Sequence, residues 1–283
     1  MATFKKRRKR RIANLLHAKM HYLHENNISF ANFRRLGYLM AFLGGAINAG
    51  GFFAVGYYTS HMSGAMAMAA DSLYLKEWKV ALTAFLMLLS FIFGAAHSSW
   101  TILWAKRQRF RSSFGLSMWL EAMYMLAFGL LATLLNKFGD EYLLWSPTLM
   151  TMCFIMGMHN TVMTILSNGV VRTTHMTGFA TDIGIELSKI LYYRRSKNPK
   201  LPDVQVNIPK IKLFSGVMAS FVLGGFLGAW GVNLIGYQFV WPVAFVLFLI
   251  GFTSIGYDVK LRWRIWLYKR NKKRRSKTMS NGQ

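Results

Sequence analysis

A chain of 283 residues that is 53% hydrophobic and 15% aromatic has room for little beyond a membrane domain. Its formal charge of +25 would suggest nucleic acid on a soluble surface. Here the charge sits beside apolar runs, where anionic lipid at about 1 kcal/mol per basic residue accounts for it, so no nucleic-acid partner is expected. Cys153 stands alone inside an apolar run, which excludes a disulfide framework and suggests a small packing residue.

In chain order, residues 1–35 form a basic arm. Within it Arg10–Leu23 places Ile12, Leu15, Leu16, Met20 and Leu23 on one helical face, as in a helix lying in the membrane interface. His17, His21 and His24 read as polar flanks of that helix rather than as metal ligands. Six spans then follow: Leu36–Tyr58, Val80–Ala105, Gly115–Asn136, Leu143–Ser167, Ile211–Gly236 and Phe239–Tyr257. The first lacks an Ala-x-Ala-like site and is not read as a cleaved signal peptide. With a cytoplasmic N-terminus, the arm holds 10 Lys and Arg, the loop before the third span 4, that before the fifth 8, and the tail 10. The opposite side receives Lys76, Lys79 and Lys137 alone. That split is the positive-inside pattern and sets both ends in the cytoplasm of a cell (inner) membrane. A loop at about 193–210, with three prolines in Asn198–Pro209, joins two halves, 36–136 and 143–257. The tail, 258–283, sets Trp263, Trp266 and Tyr268 among cations, as an aromatic belt does.

The halves echo each other. Gly45-Ala46-Ile47-Asn48 and then Thr59-Ser60-His61-Met62-Ser63-Gly64 in the first correspond to Gly157-Met158-His159-Asn160 and Thr173-Thr174-His175-Met176-Thr177-Gly178 in the second. Ser90–Ala95 in the second span is similarly matched by Ser220–Gly225 in the fifth. Because a unit of three spans is odd, the second copy enters the membrane from the other side. The expected fold is therefore all-α, six transmembrane helices as a 3+3 inverted-topology repeat, an architecture common in secondary transporters. Gly50-Gly51, Gly56 and Asn168-Gly169 should break the helices after spans one and four. Short helices then open at Ala65–Leu75 and Phe179–Tyr192, with Ser63 and Thr177 as N-caps. Such helix starts facing a cavity would favour an anionic or carbonyl-bearing ligand. The alternative is that these glycines and hydroxyls serve packing and capping alone.

Ionisable residues at membrane depth cost a few kcal/mol or more and are functional candidates. Glu121 lies about 9 Å into the third span. Asp182 and Glu186 follow His175 at i+7 and i+11 on one helical face. His97 and His159 fall within spans two and four, and His61 with Asp71 forms the first-half counterpart. Glu186 beside Lys189 reads as a solvated i,i+3 pair. Four of the seven His adjoin a Met, but neighbouring helical residues point about 100° apart, and no metal or other cofactor is expected. No Gly-x-Ser-x-Gly and no Walker loop appears, which argues against a hydrolase or an ATP-driven pump.

Gly157–Asn160, Arg172–Gly178 and Thr181-Asp182 resemble the signature of the YoaK family, multi-spanning bacterial membrane proteins of uncharacterised function. Asn48, Ser63, Ala65 and His159 depart from that pattern, standing where Asp, Thr, Asn and Gln are expected. The resemblance covers about residues 36–256 and implies a bacterial inner-membrane location without a substrate. The inverted repeat sets the functional expectation, a secondary transporter or exporter of a small organic solute working by alternating access. Substrate would lie on Asn48, His61, Ser63, Gly64, His159, Asn160, Thr174, His175, Thr177 and Gly178, with Glu121 and Asp182 for proton coupling. A membrane-embedded enzyme using His175 and Asp182, and a non-transporting scaffold, are the alternatives. Expected partners are anionic lipid, the solute and, in an oligomer, further copies of the chain.

Overall fold

The computed structural model describes residues 30–108, 110, 112–136, 141–193 and 204–252. The expected arm helix, its three histidines and the aromatic tail lie outside these. Every regular element described is helical, with no strand: α1 Phe30–Val55, α2 Met62–Tyr74, α3 Trp78–Arg107, α4 Ser113–Asn136, α5 Glu141–Leu166, α6 Met176–Tyr193 and α7 Ile208–Ile235. A 3-10 turn, Gly236–Phe239, leads into α8, helical over residues 240–252. Among the described residues five apolar runs are long enough to cross a bilayer, the last being the 45 residues Ile208–Phe252 that this turn divides. At 13 residues α2 rises about 20 Å, too short for a hydrocarbon core of about 30 Å.

The predicted helix breaks fall where the backbone needs them. Gly56 at φ +77° ends α1, its N–H returning to the Phe52 carbonyl at 2.8 Å. Asn168 and Gly169 take φ +52° and +84° after α5, a region open to Gly and tolerated by Asn. Gly50 and Gly51 do not break α1; they remain helical because their bare faces are filled by the Phe239 ring and by Thr59 with Met152. The expected N-caps shift likewise. Helix α2 begins at Met62 after His61, and α6 at Met176 after His175, so Ser63 and Thr177 lie within the first turns instead of capping them.

Burial orders the helices from centre to rim. Most of the apolar stretch of α5 and of α1 is buried inside the bundle, whereas little of that of α3 is. Helices α1 and α5 therefore form the middle, and α3 presents Trp78, Phe93 and Trp100 outward, as a lipid-facing helix should. The most extensive contacts pair α1 with α7 and α5 with α3, so each half's first helix packs against the other half's second. Both seams use the same residues. A Cβ on Gly45 would overlap the Phe221 carbonyl, and one on Gly224 the Phe42 carbonyl. On the other seam Gly157 faces the Phe91 carbonyl and Gly94 the Phe154 carbonyl. Small residues at a crossing let backbones approach, which supplies packing where lipid offers no hydrophobic drive. Helices α4 and α8 close the bundle in the same reciprocal way: Gly129 lies under Trp241, and Gly251 against Trp119.

Candidate functional site

Deep in the bundle α4 and α5 meet through Glu121 and His159, both fully buried. The His159 ring reaches Glu121 Oε1 from Nδ1 at 2.7 Å and the Met40 carbonyl of α1 from Nε2 at 2.8 Å. A carbonyl only accepts, so Nε2 carries a hydrogen and donates. One proton is then shared along the Nδ1–Oε1 line. It lies on the acid, giving a neutral pair, or on the ring, giving an ion pair. Either way the net charge is zero, which is how an acid is tolerated at this depth. The other carboxyl oxygen, Oε2, is buried without a hydrogen-bond partner among the described residues. Gly44 admits the ring: a Cβ there would stand 3.2 Å from Nε2 and 3.6 Å from the Thr174 methyl.

Beside this pair each half folds its post-span loop back onto its own asparagine. Asn48 Oδ1 accepts from the Ser60 backbone N–H at 3.1 Å and from the Ser60 hydroxyl at 2.8 Å. Asn160 Oδ1 accepts from the Thr174 N–H at 3.3 Å and from its hydroxyl at 3.0 Å. The Thr173 hydroxyl adds a third bond at 2.9 Å. The asparagines thus act first as clasps that hold each non-helical segment in the bundle, satisfying loop N–H groups that lipid could not.

The remaining expected site residues separate from this centre. Ser63, Gly64, His175 and Thr177 are exposed at the starts of α2 and α6, and the half-covered Gly178 lies against the His175 ring. His61 is also exposed; its Nδ1 is 3.4 Å from the Ser60 hydroxyl, which links it to the Asn48 cluster. Asp182 pairs with Lys210 at 3.1 Å and makes no bond to His175, so the acid–imidazole pair expected for an enzyme on α6 does not form. Glu186 does pair with Lys189, at 2.8 Å, but it is covered rather than solvated: it is 3% exposed and its Oε2 accepts from the Asn207 N–H at 2.9 Å. That N–H and the ammonium hold the Glu186 carboxyl below its ordinary range. His97 meets the Tyr124 hydroxyl at 3.2 Å near the rim. Cys153 is fully buried against Ala65, Met87 and Leu149, a packing residue as expected.

Sequence reasoning named Glu121 and His159 separately and missed that they bond each other. The repeat could have shown it. His159 stands where the first copy has Ile47, so one polar departure within a span called for a partner on a neighbouring helix. Thr59 and Thr173 were quoted within the motifs but not singled out as site residues.

Apolar helices of spanning length, reciprocal glycine seams and a charge-neutral polar centre define a helical integral membrane protein. The chain belongs to the family described as Protein of unknown function (DUF1275), whose model matches residues 36–253, in keeping with the resemblance carried by the second-half motif. No curated protein and no solved structure matches it.

Proposed function

We propose that this protein is a secondary carrier of a small organic solute, working by alternating access from two inverted three-span halves and coupled to protons. The observation that carries the reading is the Glu121–His159 pair, a shareable proton held at membrane depth between α4 and α5 with a carboxyl oxygen left unpartnered. A structural role alone would be served at lower cost by apolar residues of similar size. The reciprocal Gly45–Phe221, Gly224–Phe42, Gly157–Phe91 and Gly94–Phe154 contacts support the inverted repeat, because a two-fold in the membrane plane would generate each pair from another. Six crossings follow, with α8 the start of the sixth and both ends in the cytoplasm of the inner membrane, where the basic arms meet anionic lipid.

In this scheme substrate sits between α1 and α5, against Asn48, Ser60, Gly44 and His159. The residues at the starts of α2 and α6, among them His61 and His175, line the approaches. Asp182, engaged with Lys210 on α7, serves as a tie on the cytoplasmic side rather than as a proton carrier. The test is a solute screen on proteoliposomes carrying an internal pH dye. A solute that drives proton movement through wild type, and moves without protons through Glu121→Gln, supports the reading. Proton movement of equal size in Glu121→Gln overturns the coupling role, and the absence of flux for every solute class overturns the carrier.

A further inference from the structure

The two asparagine clasps are alike in design and unlike in completeness. At Asn160 both polar atoms are engaged: Oδ1 takes three bonds, and Nδ2 donates to the Met156 carbonyl at 3.2 Å. At Asn48 Oδ1 takes two, and Nδ2 has no partner among the described residues. Thr59, at the place in the first copy that Thr173 occupies in the second, is fully buried, and its hydroxyl has no partner among the described residues. A buried hydroxyl without a partner is destabilising, and the second clasp shows that this fold can satisfy it.

We propose that the Asn48–Thr59 cluster is a binding site for a carbonyl or carboxylate oxygen of a small organic ligand, while the Asn160 cluster is a closed structural clasp. The groups left over in the first cluster are the Asn48 amide N–H and the Thr59 O–H, and both can donate to one acceptor. An ammonium has no lone pair to accept from the Asn48 amide N–H and would leave that donor unpaired beside a like charge. Gly51, on the stretch of α1 that faces Thr59, is packed closed, so a ligand enters only as a neighbouring side chain moves aside. A Cβ on Gly51 would meet the Thr59 methyl at 3.0 Å, the Met152 terminal methyl at 3.1 Å and the Thr59 hydroxyl at 3.4 Å. The yielding wall is therefore Met152, whose unbranched thioether changes rotamer readily. Ser60 and the exposed His61 connect the cluster to the surface. This assignment names the substrate class of the proposed carrier and rests on that reading only for what happens after binding.

The experiment uses the full chain in nanodiscs and three probes at matched ionic strength: acetate, acetamide and ethylammonium. Saturation-transfer NMR reads binding, and thermal unfolding reads stability. Thr59→Val keeps the shape and removes the hydroxyl. Without probe its Tm should equal or exceed that of wild type, whereas Thr173→Val should lower Tm. Acetate or acetamide should give a transfer signal with wild type that Thr59→Val loses, and ethylammonium should give none. A Tm loss in Thr59→Val as large as in Thr173→Val would overturn the proposal, as would an acceptor signal that survives in Thr59→Val. So would silence of both acceptor probes on wild type. Binding of the acceptor probes with no solute flux sinks the carrier alone, and solute flux undiminished in Thr59→Val sinks this site alone.

Discussion

At the scale of single residues, the arrangement around His159 makes Glu121 replaceable for folding but not for holding a proton. In Glu121→Gln an amide N–H donates to Nδ1 while Nε2–H stays on the Met40 carbonyl, so the buried bonds persist. The expected stability is within about 1 kcal/mol of wild type. Glu121→Ala leaves Nδ1 bare in an apolar core and should cost about 1–3 kcal/mol before any cavity cost is added. Reversible unfolding of the two variants in mixed micelles separates these outcomes, and equal losses would show that the acid is held by something other than its hydrogen bond. Legibility ended at this scale. Depth along a span announces that an acid is costly, but the identity of the group that meets it across 38 residues of chain depends on how α4 and α5 rotate against each other.

At the scale of elements, helix bounds followed the sequence closely, since hydropathy and the turn residues Gly56, Asn168 and Gly169 determine them locally. What was not legible was which helix meets which. The Trp119–Gly129 spacing recurs as Trp241–Gly251 on the two helices that close the bundle, a signal easily lost among the other aromatic residues. The glycine seams give a direct test. Gly45→Ala and Gly157→Ala drive a methyl into a facing carbonyl and should each cost about 1–3 kcal/mol. Gly184→Ala on α6, where a Cβ meets nothing within 4 Å, should stabilise by about 0.5–1 kcal/mol. Parallel Tm measurements decide the matter, and comparable losses at all three would contradict the seams. The tie between α6 and α7 adds a pH dependence. Glu186 has its carboxyl held below its ordinary range by the Asn207 N–H and the Lys189 ammonium, so its contribution to stability is present above the ordinary carboxyl range and is lost as pH falls through the lowered one. Glu186→Gln should therefore show a shallower Tm decline in acid than wild type. Equal slopes would mean that other carboxyls control acid unfolding.

At the scale of the whole molecule, the proposed orientation rests on the charge count along the sequence and is open to a direct test. Single cysteines at Lys76 and Lys106, in a Cys153→Ala background, should react with a membrane-impermeant reagent from opposite faces, the first from outside intact cells and the second only after lysis. Labelling from the same face would end the six-crossing topology. The crossed seams also bear on how the chain is made. Gly45 waits for Phe221, synthesised about 180 residues later, which at 5–20 residues per second is roughly 10–35 s. Throughout that interval α1 sits in the bilayer with its main partner not yet made. The nascent protein thus depends on whatever shelters a lone helix at the insertion site, and a premature stop before α7 leaves a fragment fit for degradation rather than a smaller working protein.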